Sequence, residues 1–307
     1  MDTFSYLGKS KSPIFVDGTV GLGGHASAIA EKLKVKSLKF KVFGIDKDQN
    51  ALDIAGKRVS DNGFVDNFTF IHDDFKNISH ILEDHNIEQV DGILLDLGVS
   101  SMQLDEKERG FSYSEPDQPL DMRMDQSNEL DAFEVINHYS EKELERVLIS
   151  GEERYYKLII RNIMRERGNK PINMVGDLLD ILKVSLPKKN VSKFPKTYAA
   201  DTFRALRLEV NQELSNLAQS LKDCVEALKP SGKLAVITFH SLEDRIVKNT
   251  FRELENPCSC PKEFPYCICG KKPSVKIITK KPVPPTNTEI EVNPRSKSSK
   301  LRVVEKI

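Results

Sequence analysis

A short apolar strand that runs into a glycine-rich turn and then a helix constrains this chain more than any other stretch: Phe15-Val16-Asp17-Gly18-Thr19-Val20-Gly21-Leu22-Gly23-Gly24-His25. Glycine has no Cβ, so the backbone at Gly21, Gly23 and Gly24 can turn sharply and approach a bound molecule closely. Ala26-Ser27-Ala28-Ile29-Ala30 then opens a good helix. The pattern reads as a ligand site built on an α/β unit, against the plainer alternative of a tight structural turn.

Two ligand classes use such units: phosphate-bearing nucleotides and S-adenosylmethionine (SAM). Gly21-x-Gly23-x-x-Ala26 satisfies the dinucleotide spacing in its Gly/Ala form, so NAD stays open on spacing alone. Asp17 counts against it, because a carboxylate at the strand end would face a pyrophosphate with like charge, whereas SAM carries a sulfonium and an ammonium. No Gly-Lys-Ser/Thr ending follows, which excludes an ATP- or GTP-type phosphate loop.

The β/α alternation continues. Phe40 to Asp46 reads as a second strand ending on an acid, 22 positions after Gly24. An acid at that place accepts hydrogen bonds from ribose hydroxyls; its alternative is a cap for the helix near Asn50. A third strand, Phe68 to Ile71, leads into His72-Asp73-Asp74-Phe75, where Phe75 is either an adenine neighbour or core. Gly92 to Ser101 is nearly continuous in apolar character, the mark of a strand buried on both faces. Asp96 ends it, and Asp17 and Asp96 meet if the first and fourth strands are neighbours.

From Gln103 the alternation stops for about a hundred residues. Helical patterns near 132–137, 141–149, 156–167, 175–184 and 200–210 predict a helical subdomain at 103–203. It is inserted between a first part at 1–102 and a second at 204–307. The sheet resumes after a helix expected at 211–228, with a turn at Lys229-Pro230-Ser231-Gly232 and a strand at 233–239. His240 follows at the same rim as Asp96, with Ser241 as the expected helix cap.

Charge is balanced, 46 basic against 46 acidic residues, so nucleic-acid binding would rest on a local basic patch such as the Lys/Arg-rich tail. Cys258-Ser259-Cys260 and Cys267-Ile268-Cys269 can hold zinc, although one-residue spacing is tighter than in common structural sites, and reduced loop cysteines are the alternative. No metal ligand is assigned on that basis. The absence of a signal-like or long apolar stretch leads to the expectation of a soluble, cytoplasmic protein.

Taken together, the motifs resemble the MraW family of SAM-dependent 16S ribosomal RNA cytosine-N4 methyltransferases. The likeness is carried by Asp17-x-Thr19-x-Gly21-x-Gly23-Gly24-His25, Leu95-Asp96-Leu97-Gly98-Val99-Ser100-Ser101-x-Gln103-Leu104-Asp105, Arg109-Gly110-Phe111-Ser112 and Pro119 to Asp125. Thr202-Phe203-x-Ala205-Leu206-Arg207, Phe239 to Arg245, Asn293-Pro294-Arg295 and Ser298 to Arg302 extend it nearly to the end. The resemblance implies a class I SAM-methyltransferase, Rossmann-like α/β fold, mostly parallel with one antiparallel strand, and the insert as substrate domain.

It also implies SAM contacts from Gly23, Gly24, His25, Asp46, Phe75, Asp96 and Gln103. The implied substrate is N4 of a cytidine in small-subunit ribosomal RNA, free or in the 30S particle; a homodimer stays open. Asp96, Asp121 and His240 are the candidates to accept the amine proton, and Arg109, Phe111 and Arg123 to support a turned-out base.

The chain departs from the family at its start, where a segment with a His-x-Pro-Val motif is usual, so a truncated start is expected. It also departs at Thr197-Tyr198-Ala199-Ala200-Asp201, where a His and an Arg are usual. A catalytically impaired RNA-binding or ribosome-assembly protein of the same fold is the alternative that this second departure raises.

Overall fold

The computed structural model describes residues 12–35, 39–187, 194–195, 198–261, 266 and 268–307. In chain order the elements are β1 (Ile14–Asp17), α1 (Gly24–Val35), β2 (Lys41–Asp46), α2 (Gln49–Asp61), β3 (Phe68–His72), α3 (Ile78–Asp84) and β4 (Val90–Asp96). Six helices follow: α4 (Ser101–Asp105), α5 (Ala132–His138), α6 (Glu141–Ser150), α7 (Tyr156–Arg167), α8 (Val175–Ser185) and α9 (Ala199–Val210). The chain closes with α10 (Leu217–Glu226), β5 (Leu228–Thr238), α11 (Ser241–Glu255), β6 (Val275–Ile277), α12 (Asn287–Val292) and β7 (Lys300–Lys306).

Two compact units result, one of residues 1–98 with 216–307 and one of residues 99–215. Gly98 (φ 108°) and Asn216 (φ 56°) sit where the chain passes from one to the other. Among the described residues no helix is long and apolar enough to cross a membrane.

The first unit is a seven-stranded sheet in the order β3-β2-β1-β4-β5-β7-β6. β1 to β5 run parallel, and β7 lies antiparallel between β5 and β6. This is the mostly parallel sheet with one antiparallel strand that the resemblance implies. Its strand order reverses between β1 and β4, which opens the crevice outside their carboxyl ends. β4 is buried from Val90 to Leu95, as its apolar run predicts. Phe15, Ile29, Leu33, Val42, Leu52 and Val59 pack one core cluster of this unit.

Local chemistry sets the element ends. Asp48, not Asp46, caps α2 by accepting the Asn50 N–H at 3.1 Å. The helix expected over 211–228 is shorter: Gln212 (φ 50°) and Asn216 are left-handed, and the helix starts at Leu217. The expected turn at Lys229 to Gly232 is instead looped out of β5, because Val90 pairs with Leu228 while Gly92 pairs with Lys233. α11 is capped by His240 rather than Ser241.

The second unit packs α5 to α9 around Val135, Ile136, Leu144, Leu148, Ile163, Leu178 and Leu206, which are all buried. Its irregular segment has no strand ladder, so scattered backbone bonds, such as Met122 N–H to the Arg109 carbonyl at 2.9 Å, and side chains together satisfy its backbone. Asn211 accepts the Met124 N–H at 2.7 Å and donates to the Met122 carbonyl at 2.7 Å. Arg109, 2 % exposed, donates to the carbonyls of Arg123 and Met124, both at 2.9 Å. Phe111 is buried as well. Both residues are therefore part of the interior rather than available to grip a base, which corrects the role expected of them.

Thr202, within the Thr-Phe motif, is fully buried and donates from Oγ1 to Glu153 Oε2 at 2.7 Å. Burial pushes the Glu153 carboxyl up, opposed by hydrogen bonds from the Tyr155 N–H and from Thr202. Thr202→Val keeps the shape and deletes one of these donors. It is expected to destabilise the protein by about 1–3 kcal/mol at neutral pH, read as a lower urea midpoint at unchanged m-value.

Candidate functional site

In the sheet unit, β1 and β4 pair in parallel with Asp17 beside Leu94. The carboxyl ends of the two strands therefore share one rim. The turn after β1 is pinned to this rim by three bonds. Gly18 N–H donates to the Leu94 carbonyl at 2.9 Å, and Val20 N–H to the Ile45 carbonyl at 2.9 Å. The Asp96 N–H donates to Thr19 Oγ1 at 2.6 Å, so the threonine side chain fixes the backbone that carries Asp96.

Glycine is required at two positions here. A Cβ on Gly18 would lie 2.5 Å from Leu95 Cδ2 and 2.9 Å from Phe75 Cβ. Gly23 is left-handed (φ 75°), and a Cβ there would lie 3.2 Å from that of Ala55. The loop thus presses onto β4 on one side and onto α2 on the other.

Four titratable groups converge on this loop. Asp17 is 1 % exposed; Oδ1 accepts the Thr19 N–H at 3.3 Å, and Oδ2 is buried with no hydrogen-bond partner. Burial raises its carboxyl to about 7, against the lowering effects of His25 and the Thr19 N–H. The Asp96 and Asp46 charges push it up further. His25 Nε2 lies 3.5 Å from Asp96 Oδ2. The hydrogen bond with Asp96 raises the imidazole above its ordinary value; burial opposes this, and the charges of Asp96, Asp17 and Glu289 add to it. Asp96 Oδ1 is buried without a hydrogen-bond partner.

Asp46, at the end of β2, ties the loop to its neighbour strand. Its Oδ2 accepts the Gly21 N–H at 2.7 Å and its Oδ1 the Asp48 N–H at 3.0 Å. Burial raises this carboxyl too, opposed by the backbone donors Asp48 and Gly21. Phe75 is buried, with its Cβ against Gly18. Gly23 and Gly24 lead into α1, which carries His25 in its first turn.

The remaining candidates are engaged in local structure. His240 lies three residues beyond Ile237, the register partner of Asp96. Its Nδ1 faces the Glu243 N–H at 3.4 Å as a helix cap. Its Nε2 lies 3.1 Å from Glu243 Oε1 but is not aligned for a hydrogen bond. Gln103 and Asp121 belong to the second unit. Gln103 is buried in a reciprocal cap with Ser100, whose N–H it accepts at 3.0 Å while its own N–H donates to Ser100 Oγ at 3.2 Å. Arg123 grips Asp121 through Nε at 3.0 Å and Nη2 at 2.7 Å, and its backbone N–H adds a third bond at 2.8 Å. Thr19 positions Asp96, a side-chain role that exists only through the β1/β4 pairing and leaves no signal in the sequence beyond the motif.

The whole chain, residues 1–307, matches the model of the MraW methylase family. The chain belongs to that family. Two curated relatives, each named ribosomal RNA small subunit methyltransferase H, come from Clostridium botulinum strain 657 (type Ba4) and strain Kyoto (type A2). Each is 47% identical over 309 residues, covering 100% of this chain and 96% of the relative. Among solved structures, an rRNA methylase from Streptococcus thermophilus is 13% identical, with a TM-score of 0.40 over 99% of this chain and 90% of that one.

SAM is the cofactor of this methylase, and the residues at the rim fit it. Asp17 Oδ2 is a buried carboxylate oxygen that lacks a donor, which is what a ligand with cationic centres supplies and a pyrophosphate does not. Asp46 keeps acceptor capacity beyond its backbone bonds from Gly21, Lys47 and Asp48, since a carboxylate offers about four lone-pair sites.

Proposed function

We propose that this methylase transfers the methyl group of SAM to the exocyclic N4 of a cytidine in small-subunit ribosomal RNA. Membership of the MraW methylase family, with relatives at 47% identity named for the ribosomal RNA of the small subunit, carries the assignment. When bound, SAM supplies an activated sulfonium methyl, so the protein's task is to place a nucleophile in line with it.

Cytosine N4 is a poor nucleophile because its lone pair is delocalised into the ring. A carboxylate that accepts a hydrogen bond from the amine localises that pair and takes the proton released on transfer. Of the three acceptors considered, Asp96 is best suited, because one of its oxygens is buried without a donor. Asp121 is taken up by Arg123, and His240 caps α11. Gly23, Gly24 and His25 are the residues proposed to line the cofactor's methionine end, with Asp17 facing its cationic centres, Asp46 at the ribose and Phe75 beside the adenine. Gln103, implied as a cofactor contact by the family resemblance alone, has its side chain in the cap with Ser100.

The helical unit is proposed to recognise the RNA. Support comes from Lys157 and Arg161, exposed four residues apart on one face of α7, and from Arg154, exposed in the turn just ahead of it. In the tail, Lys271, Lys272, Lys276, Lys280 and Lys281 are exposed and suit phosphate contacts. Arg302 does not, since it pairs with Asp244 through Nε at 2.7 Å and Nη2 at 3.1 Å.

The test is methyl transfer from labelled SAM to small-subunit particles, and in parallel to naked RNA, from cells that lack the enzyme. Label recovered as N4-methylcytidine is the expected result, and the better of the two substrates identifies the form recognised. A full-length protein that binds SAM but transfers no label to either would overturn the assignment.

A further inference from the structure

The loop between α11 and β6 supplies no group to methyl transfer, yet it gathers three thiols. The Sγ atoms of Cys258, Cys260 and Cys269 all lie within 4.8 Å of one another. Cys267, the fourth cysteine of the sequence pattern, lies outside the described residues.

Three observations separate this cluster from cysteines used as small apolar side chains. No described residue from Asn256 to Pro273 is buried, so the convergence is not a by-product of core packing. Cys224, by contrast, is fully buried on α10, where desolvation pushes its thiol up. Next, the Ile268 N–H donates to Cys260 Sγ at 3.3 Å. Such a bond orients the sulfur as a ligand. Finally, Gly270, directly after Cys269, is left-handed (φ 67°), which turns the chain as it leaves the cluster.

We propose that Cys258, Cys260 and Cys269 bind one Zn²⁺ as thiolates, forming a structural site that closes this loop ahead of the edge strand β6. Soft thiolate donors select zinc, Cu(I) or iron–sulfur clusters, and a single ion held to stabilise a loop is the use that zinc serves without redox chemistry. With Zn–S bonds of about 2.3 Å, a tetrahedral centre separates its sulfurs by about 3.8 Å, so a side-chain adjustment of about 1 Å brings the three thiols to bonding positions. Each S–H bond is replaced by an S–Zn bond and each proton leaves to solvent; no electrons are transferred. One tetrahedral position is left for a further donor. Because the loop buries no described residue, the cross-link supplies order that hydrophobic packing does not.

The full-length chain, purified under reducing conditions and exposed to Zn²⁺ before removal of excess metal, is expected to retain about one equivalent of zinc. The triple variant Cys258→Ser, Cys260→Ser, Cys269→Ser is expected to lose it while keeping its far-UV circular dichroism and SAM binding. Should that variant fail to fold, Co²⁺ titration of the unaltered chain decides. Tetrahedral cobalt–thiolate bands that vanish on adding Zn²⁺ support the site, and their charge-transfer intensity reads three thiolates or four. Overturning results are no zinc retained above the triple variant, no tetrahedral cobalt spectrum, a disulfide among these cysteines after mild reduction, or preferential loading with copper or an iron–sulfur cluster. None of these readouts depends on methyl transfer.

Discussion

Asp96→Asn is expected to lower kcat for methyl transfer about a hundred- to ten-thousand-fold, the range typical of losing a positioned proton acceptor. The substitution keeps the size of the side chain, and the Asp96 backbone stays fixed by its N–H bond to Thr19 Oγ1 at 2.6 Å. What changes is that one carboxylate oxygen becomes an amide that cannot accept. SAM affinity is expected to fall by a much smaller factor, because Asp17 and Asp46 remain. The measurements are single-turnover methyl transfer at saturating SAM and calorimetric SAM binding. If SAM affinity collapses while kcat at saturation is preserved, Asp96 serves the cofactor and the proton acceptor lies elsewhere. An independent readout follows from the His25 pair. The Asp96 hydrogen bond is the largest influence raising that imidazole, so its pKa, followed by NMR, is expected to drop in the variant.

SAM affinity itself is expected to rise steeply with pH up to about 7. Burial holds the Asp17 carboxyl at about 7, so below that pH the group is neutral and offers no charge to a cationic ligand. Where binding requires the ionised form, affinity climbs about tenfold per pH unit from below and levels off above 7. It declines again near 8, where the ligand's own α-amino group, with a pKa of about 8, loses its charge. Asp17→Asn is expected to weaken binding at pH 7.5, remove the rising limb and abolish the proton release that calorimetry in buffers of different ionisation heat detects. A rising limb that survives in Asp17→Asn refutes the assignment.

The same group links to stability with the opposite sign. The unfolded carboxyl ionises near 4 and the folded one near 7, so between these values the folded state holds the extra proton. The ligand-free protein therefore loses stability as pH rises from about 4 to about 7, by an amount of order 4 kcal/mol for a shift of this size, and recovers part of it when a cation binds.

Strands and helices that carry their own signal were legible in the sequence. The apolar run of β4 could only be a buried strand, and the helices α5 to α9 showed their apolar faces at helical spacing. What failed were places where a longer-range partner overrides local preference. Asn211 appeared helical by neighbourhood, yet it closes α9 and its amide satisfies the backbone of Met122 and Met124. Lys229 to Gly232 carried turn residues, and the turn formed, but as a bulge within a strand whose pairing with β4 resumes beyond it. Arg109 and Phe111 looked like a base-gripping pair because arginine and an aromatic are what such a grip uses; only the packing shows them spent inside.

The sequence by itself determined that a glycine loop follows a strand ending in Asp17, that a second acid ends the buried strand at Asp96, and to which family this order of motifs belongs. Those are properties of contiguous residues: backbone freedom, apolar periodicity and charge at a strand end. Tertiary structure alone decided that the two strands are neighbours and that Thr19 bridges them. It also decided that Asp17 and Asp96 each keep a buried oxygen without a donor while Asp121 is occupied by Arg123. Desolvation and hydrogen-bond satisfaction depend on what surrounds an atom in space. Residues with the same letter therefore acquire different chemistry only once the chain has folded.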